Sequence, residues 1–327
     1  MSDSSCHILI TSAGRRVQLV RFFQRALSNL GLPGQVLAVD ANPIWSAAAR
    51  EADGFSPAPL LSDPGYVPFL LEFVRAQNVR LLVPTIDTEL ALLARNRDLF
   101  AEAGCEVVVS DLTLIEVCRD KRKSFEWFRG LGFETPRIFD RETLTFPCFT
   151  KPFDGSMSKG AIALSIAEHM APAVFRDERL IFMEYFDPAV YDEYTVDTYY
   201  DRAGSLTCLV PRKRVEVRGG EISKGVALKG HLYAELCSRL ALIEGARGCL
   251  TYQFFVAKNG DRVVASELNA RFGGGYPLSQ AAGARFPEWL IREYVLDENV
   301  PFFDDWQDRT AMARYDSEVI FRLPEES

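Results

Sequence analysis

Histidine is scarce in this chain, with only His7, His169 and His231. His7 opens an apolar run, His169 ends a charged segment and His231 reads as a helix-start residue after Lys229-Gly230, so neither a histidine metal centre nor a histidine-based acid–base pair is indicated. The seven cysteines are odd in number, dispersed and never spaced as Cys-x-x-Cys. That pattern excludes a disulfide framework and fits reduced core thiols in the cytoplasm. No apolar run nears the length of a membrane span, and no basic segment followed by an apolar core opens the chain, so neither membrane insertion nor export is expected. Long Lys/Arg runs are missing too. With a net charge of -8 and a pI near 5.2, neither nucleic acid nor an anionic membrane is expected as a partner. Two glycine signatures are also absent. Gly14 stands alone where a dinucleotide fold would carry Gly-x-Gly-x-x-Gly, and the P-loop order does not occur.

What is present is a chain of 327 residues, 48% hydrophobic, long enough for two or three domains. The first third alternates strand and helix. Apolar strands are predicted at residues 7–11, 36–40, 81–83 and 107–109, with an amphipathic helix over 17–30 that places Leu19, Val20, Phe23 and Leu27 on one side. This is the pattern of a parallel open sheet, a Rossmann-like half. Pro84-Thr85-Ile86-Asp87-Thr88-Glu89 follows a strand, at the sheet end where such folds bind ligands. Thr85 or Asp87 could equally cap a helix beginning near Glu89.

The rhythm then changes. Asp120-Lys121-Arg122-Lys123 opens a helix carrying Phe125, Trp127 and Phe128, and a short strand over 147–152 contains Lys151. Gly155-Ser156-Met157-Ser158-Lys159-Gly160 follows, either a cradle that turns backbone N–H groups toward phosphate or a plain hairpin turn. Strands are predicted over 180–186, 193–200, 205–210 and 214–217, a helix over 232–244, and a hairpin of 250–257 with 262–268 around Asn259-Gly260. In Glu267-x-Asn269-x-Arg271, at the end of that hairpin, the two-residue period puts a carboxylate, an amide and a guanidinium on one face. Carboxylate and amide oxygens suit Mg²⁺, the guanidinium suits phosphate, and the glycines of Gly273-Gly274-Gly275 allow a turn close to a ligand. If Lys258 and Arg262 flank a three-residue loop, Gln253 lies opposite Glu267 as a further oxygen ligand. A two-residue turn would spoil that alignment.

Taken in order, Lys121, Lys151, Gly155 to Gly160, Glu184, Glu193, Gln253 and Glu267-x-Asn269-x-Arg271 form a set that resembles the ATP-grasp superfamily. Within it the set is most similar to the carbamoyl-phosphate-synthase-like carboxylate–amine ligases that include the pyrrolysine-pathway ligase. The resemblance implies an α/β and α+β multidomain fold: a Rossmann-like domain at 1–113, then an ATP-grasp fold of two α+β subdomains. The lid subdomain would span 114–184 and carry the flap, and the large subdomain would span 185–327 with the metal-binding hairpin and a C-terminal tail. It further implies that Lys121 and Lys151 reach ATP phosphates under a flap of Gly155, Ser156, Ser158, Lys159 and Gly160. Glu184-Tyr185-Phe186 would border adenine through the main chain, and Glu193 would hold the ribose. Gln253, Glu267 and Asn269 would hold Mg²⁺, with Mn²⁺ able to substitute, and Arg271, Lys151 and Arg214 would serve catalysis. Arg15, Asp87, Glu89, Arg212 and Arg214 are candidates for the substrate shell. The expected reaction joins a small, amino-acid-like carboxylate to an amine through an acyl phosphate, with a homodimer as a candidate assembly. Carbamoyl phosphate synthase carries two such modules, so with one module here carbamoyl phosphate synthesis is not the expected reaction. A small-molecule kinase, a nucleotide-binding pseudo-enzyme and a nicotinamide oxidoreductase are the alternatives.

Overall fold

The computed structural model describes residues 5–155, 160–167 and 171–323. They form two compact units, and the chain passes between them more than once: residues 1–109, 285–300 and 314–327 make the first, residues 110–284 and 301–313 the second.

The first unit is built on strands β1 (His7–Thr11), β2 (Val36–Asp40), β3 (Gly54–Pro57), β4 (Val79–Pro84) and β5 (Glu106–Val107), paired in parallel in the order β3-β2-β1-β4-β5. Helices α1 (Val17–Leu30), α2 (Ala47–Glu51), α3 (Tyr66–Ala76), α4 (Asp87–Arg95) and α5 (Arg97–Glu102) lie between them in sequence. β1 and β2 are nearly continuous apolar runs because both faces of a parallel sheet are covered. β3 escapes sequence detection: Gly54-Phe55-Ser56-Pro57 alternates half-buried and exposed residues and has no apolar run. The helix Phe286–Tyr294, far along the chain, packs on α1 and buries Phe286, Leu290, Ile291 and Tyr294. Thr85 caps no helix. Its hydroxyl donates to the carbonyls of Thr11 (3.1 Å) and Ser12 (2.7 Å), and α4 begins at Asp87.

The second unit holds two antiparallel sheets. After helices α6 (Leu112–Arg119) and α7 (Lys121–Gly130), the smaller sheet contains β6 (Ile138–Phe139), β7 (Cys148–Pro152), β8 (Ile162–Leu164) and β9 (Leu180–Glu184) in the order β6-β9-β7-β8, with helix α8 (Pro172–Arg176) before β9. Phe125 of α7 packs with Ile181 and Met183 of β9. The larger sheet contains β10 (Tyr191–Tyr200), β11 (Leu206–Arg218), β12 (Glu221–Ala227), β13 (Gly248–Ala257), β14 (Val263–Asn269) and β15 (Ala311–Ala313) in the order β14-β13-β10-β11-β12-β15. Helix α9 (His231–Arg239) separates β12 from β13 in sequence, and α10 (Tyr276–Ala282) follows β14.

Two local expectations change. The segment 205–217 is one long strand rather than two, since β11 continues through Pro211, whose carbonyl accepts the Leu228 N–H at 2.9 Å. α9 also stops earlier than its periodicity suggests. Ala241 and Leu242 serve the start of β11 instead: Leu206 N donates to Ala241 O, and Ser205 bridges Leu242. All seven cysteines are free thiols. Among the described residues no helix is long and apolar enough to cross a membrane.

Candidate functional site

The β13–β14 hairpin is the natural starting point, because its strands supply three of the oxygen-bearing side chains. Gln253 stands opposite Glu267 and Thr251 opposite Asn269. The turn, however, is not the one assumed from the sequence. Ala257 N donates to Arg262 O, so the strands near the turn pair one residue out of the expected register, from Val256↔Val263 to Phe254↔Ala265. A bulge at Ser266 then inserts one residue, and this second irregularity restores the Gln253–Glu267 alignment.

β7 supplies the first cation. Lys151 Nζ lies 3.3 Å from Glu267 Oε2, with both side chains largely shielded from solvent. Lys121, at the start of α7 and nearly buried, donates from Nζ to Gly155 O at 2.6 Å, and its N–H bonds Phe153 O, which ties the helix to the segment after β7. Burial alone would push the Glu267 carboxyl up. The Lys151 and Lys121 charges oppose it, helped by the Asn269 amide donating to Oε1 at 3.2 Å, and hold Glu267 at about 2. Glu193 of β10 shares this neighbourhood. Its carboxyl is pushed up by burial and by the Glu267 charge, against the opposing pull of Arg214 and Lys151. Its partner is Arg214 of β11, whose guanidinium also donates to Gly220 O at 3.1 Å. Arg271 is half-buried two residues beyond Asn269, and its carbonyl accepts the Thr251 hydroxyl at 3.0 Å.

Lys121, Lys151, Gly155, Glu193, Arg214, Gln253, Glu267, Asn269 and Arg271 are therefore all placed within the second unit. The carboxylate-and-amide set fits a hard cation, since Glu267 is held ionised while Gln253 and Asn269 add neutral oxygens. Among the described residues there is no cluster of three His, Cys, Asp or Glu side chains able to hold a metal. Gly160 is exposed, with φ +73°. Ser156, Ser158 and Lys159 lie outside the described residues. Glu184 ends β9, and Phe186 stacks on Phe255 at 4.4 Å between ring centroids with planes 11° apart. Tyr185 between them is half-buried.

The substrate candidates divide. Arg212 is closed off from solvent: it is 1% exposed and clasps Asp197 through Nε (2.8 Å) and Nη2 (2.9 Å). Asp197 also accepts from Thr251 (3.2 Å) and Ser279 (2.6 Å), so β10, β11, β13 and α10 meet at one buried carboxylate. Two of the three glycines after Arg271, Gly273 and Gly275, pack against this cluster. A Cβ on Gly275 would come within 2.1 Å of Arg212 Nη1, and one on Gly273 within 3.0 Å of Thr251. Their smallness admits the ion pair. Sequence reasoning missed Asp197, and the only available signal was an acid inside the half-buried run Thr195-Val196-Asp197-Thr198.

In the first unit, Glu89 is fully buried, accepting from Tyr66 (2.5 Å) and Ser12 (3.0 Å), so it is closed off rather than presented to substrate. Arg15 is exposed on the turn after β1, and Asp87 is half-buried in the first turn of α4. Gly14 is committed internally: its N–H donates to Asp40 Oδ2 at 2.9 Å and its carbonyl accepts from Ser46 and Ala48.

Two family models match the chain: a PylC-like N-terminal domain over residues 8–108 and "ATP-grasp in the biosynthetic pathway with Ter operon" over residues 176–315. Comparison with curated proteins by sequence gives no match. Solved structures resemble the fold at low identity. The biotin carboxylase domain of Hydrogenobacter thermophilus 2-oxoglutarate carboxylase, in complex with MgADP and bicarbonate, has a TM-score of 0.71 at 16% identity, over 93% of this chain and 73% of its own. N5-carboxyaminoimidazole synthetase of Staphylococcus aureus, complexed with ADP, has 0.69 at 16%, over 90% and 78%. L-amino acid ligase of Bacillus licheniformis has 0.65 at 16%, over 89% and 74%.

Proposed function

We propose, from the premise that the chain belongs to the ATP-grasp superfamily, that it is an ATP- and Mg²⁺-dependent ligase joining a small carboxylic acid to an amine. The observation that carries this reading is the Lys151–Glu267–Asn269 constellation with Gln253 in register beside it. Lys121 and Lys151 would meet the nucleotide phosphates, and Gln253, Glu267 and Asn269 would hold Mg²⁺, whose charge neutralises and aligns those phosphates. Glu184-Tyr185-Phe186 would border the adenine, and Arg271 would face the transferred phosphoryl group with its planar donor fork. Arg214, braced by Glu193, would add positive charge on the same sheet.

The substrate carboxylate oxygen attacks the γ-phosphorus, the bond to the β-phosphate oxygen breaks, and ADP leaves. The amine then attacks the acyl carbon, phosphate departs with the C–O bonding pair, and the amine loses a proton to give the amide. The protein's share is positioning and charge compensation, which is why no nucleophile–base pair is required. The L-amino acid ligase likeness supports a small, amino-acid-like substrate.

The test is an ADP-release screen of the purified chain against paired amino acids and small carboxylic acids, with mass analysis of products. An amide with ADP and phosphate is expected. A stable phosphorylated product would make the chain a kinase, and no ADP release with any pair would sink the ligase reading. Glu267→Gln should lower turnover by about a hundredfold or more, because it removes the one anionic oxygen donor from the metal set.

A further inference from the structure

The hairpin that carries Gln253, Glu267 and Asn269 also carries Arg262, the residue just before β14. Arg262 spreads its guanidinium over three acceptors. Nε donates to Glu134 Oε2 at 2.8 Å, Nη1 to Glu184 Oε1 at 2.5 Å and to the Tyr191 hydroxyl at 3.1 Å, and Nη2 to Glu184 Oε2 at 3.1 Å. Its Cζ stands 5.8 Å from the centre of the Phe186 ring, and Phe186 in turn stacks on Phe255 of β13 and meets Tyr191 edge-on.

These contacts converge on one short piece of chain. Glu184 is the last residue of β9, in the smaller sheet, and Tyr191 is the first of β10, in the larger one. The segment between them is the covalent bridge from one sheet to the other. Glu184 is also fixed from the smaller sheet's side, since its N–H donates to Arg137 O at 2.8 Å. On the hairpin side, Ala265 N donates to Glu134 O at 2.8 Å, so the second acid that Arg262 grips is itself bonded to β14. A bidentate guanidinium–carboxylate pair restricts both distance and plane, and a lysine ammonium at this position could not span the same oxygens.

We propose that Arg262 is a positioning residue of the nucleotide site. It locks Glu184-Tyr185-Phe186 to the hairpin that bears Gln253, Glu267 and Asn269, and so fixes the adenine-bordering segment relative to the metal-bearing strands without touching the nucleotide. This inference rests on the ATP reading above. It separates two parts of the ligand: the lysines and the hairpin oxygens serve the phosphates, whereas the Arg262 fork serves the base.

The experiment compares Arg262→Met, which keeps the apolar stem, with the wild-type chain in binding a non-hydrolysable ATP analogue with Mg²⁺ by calorimetry, and in displacement of that analogue by inorganic tripolyphosphate. The analogue should bind about tenfold more weakly to the variant, while the tripolyphosphate constant stays within about twofold, as expected when one charge-assisted fork away from the phosphates is lost. Equal weakening of both ligands would indicate general loosening and overturn the proposal, as would no weakening of either. Arg262→Lys and Glu184→Gln repeat the comparison should the methionine variant fail to fold, and both should show the same selective loss. If the wild-type chain itself binds no analogue at millimolar concentration, the ATP reading falls. If it binds and the variants match it, only the role of Arg262 falls.

Discussion

Glu89 and Glu267 are both glutamates taken largely or wholly out of water, and their surroundings drive them in opposite directions. Burial pushes the Glu89 carboxyl up, the Asp40 charge adds to this, and the Tyr66 and Ser12 hydroxyls that donate to it pull back. Around Glu267 burial acts the same way, but two lysines overcome it and hold the group at about 2. The stability consequences have opposite signs. Glu267, depressed in the folded chain, contributes stability above its unfolded value of 4.5 that is lost as pH falls toward about 2. In urea titrations from about pH 6 down to about pH 2, which covers that transition, the wild-type midpoint should therefore fall relative to Glu267→Gln. Glu89, raised in the folded chain, binds its proton more tightly there, so wild-type stability should decline relative to Glu89→Gln as pH rises above 4.5. A pH-independent difference between wild type and either variant would refute the corresponding electrostatic account.

The β13–β14 hairpin and the Arg212–Asp197 pair explain which elements were legible. Glu267-x-Asn269-x-Arg271 could be read because side-chain alternation is local and the residue types are distinctive. Gln253 was found opposite Glu267 through an assumed turn that the chain does not make, and the bulge at Ser266 compensated. No local pattern announces such a bulge. Arg212 was misread for a related reason. Pro211-Arg212-Lys213-Arg214 has the composition of a solvated edge, yet β11 lies inside the sheet between β10 and β12, and the neutralising Asp197 comes from the neighbouring strand. Asp197→Asn should destabilise the second unit by about 3–5 kcal/mol, because it strands a buried guanidinium. Gly275→Ala should cost about 1–3 kcal/mol by overpacking against the Arg212 guanidinium, even though Gly275 has an ordinary φ of -91°. Thermal unfolding measures both, and a Gly275→Ala variant of wild-type stability would show that the clasp yields easily.

At the scale of the whole molecule, the parallel sheet of the first third was legible but the path of the chain was not. The alternating pattern of the first third announces a parallel sheet. Nothing in that third indicates that its α1 surface is completed by Phe286–Tyr294. A fragment of residues 1–109 should therefore be less stable than the same fragment joined by a flexible linker to residues 285–300, and circular dichroism melts should separate them clearly. Identical melts would mean that the returning helix is dispensable.

That return also sets an order of events during synthesis. The chain changes unit at Val109/Ser110, Ala284/Arg285, Val300/Pro301 and Ala313/Arg314. Domains generally fold as units, the N-terminal one first, as the chain emerges from the ribosome. Here the amino-terminal sheet leaves the exit tunnel early but lacks its closing helix until residues 110–284 have been translated. Throughout that interval the α1 face is an unfinished apolar surface in a nascent chain.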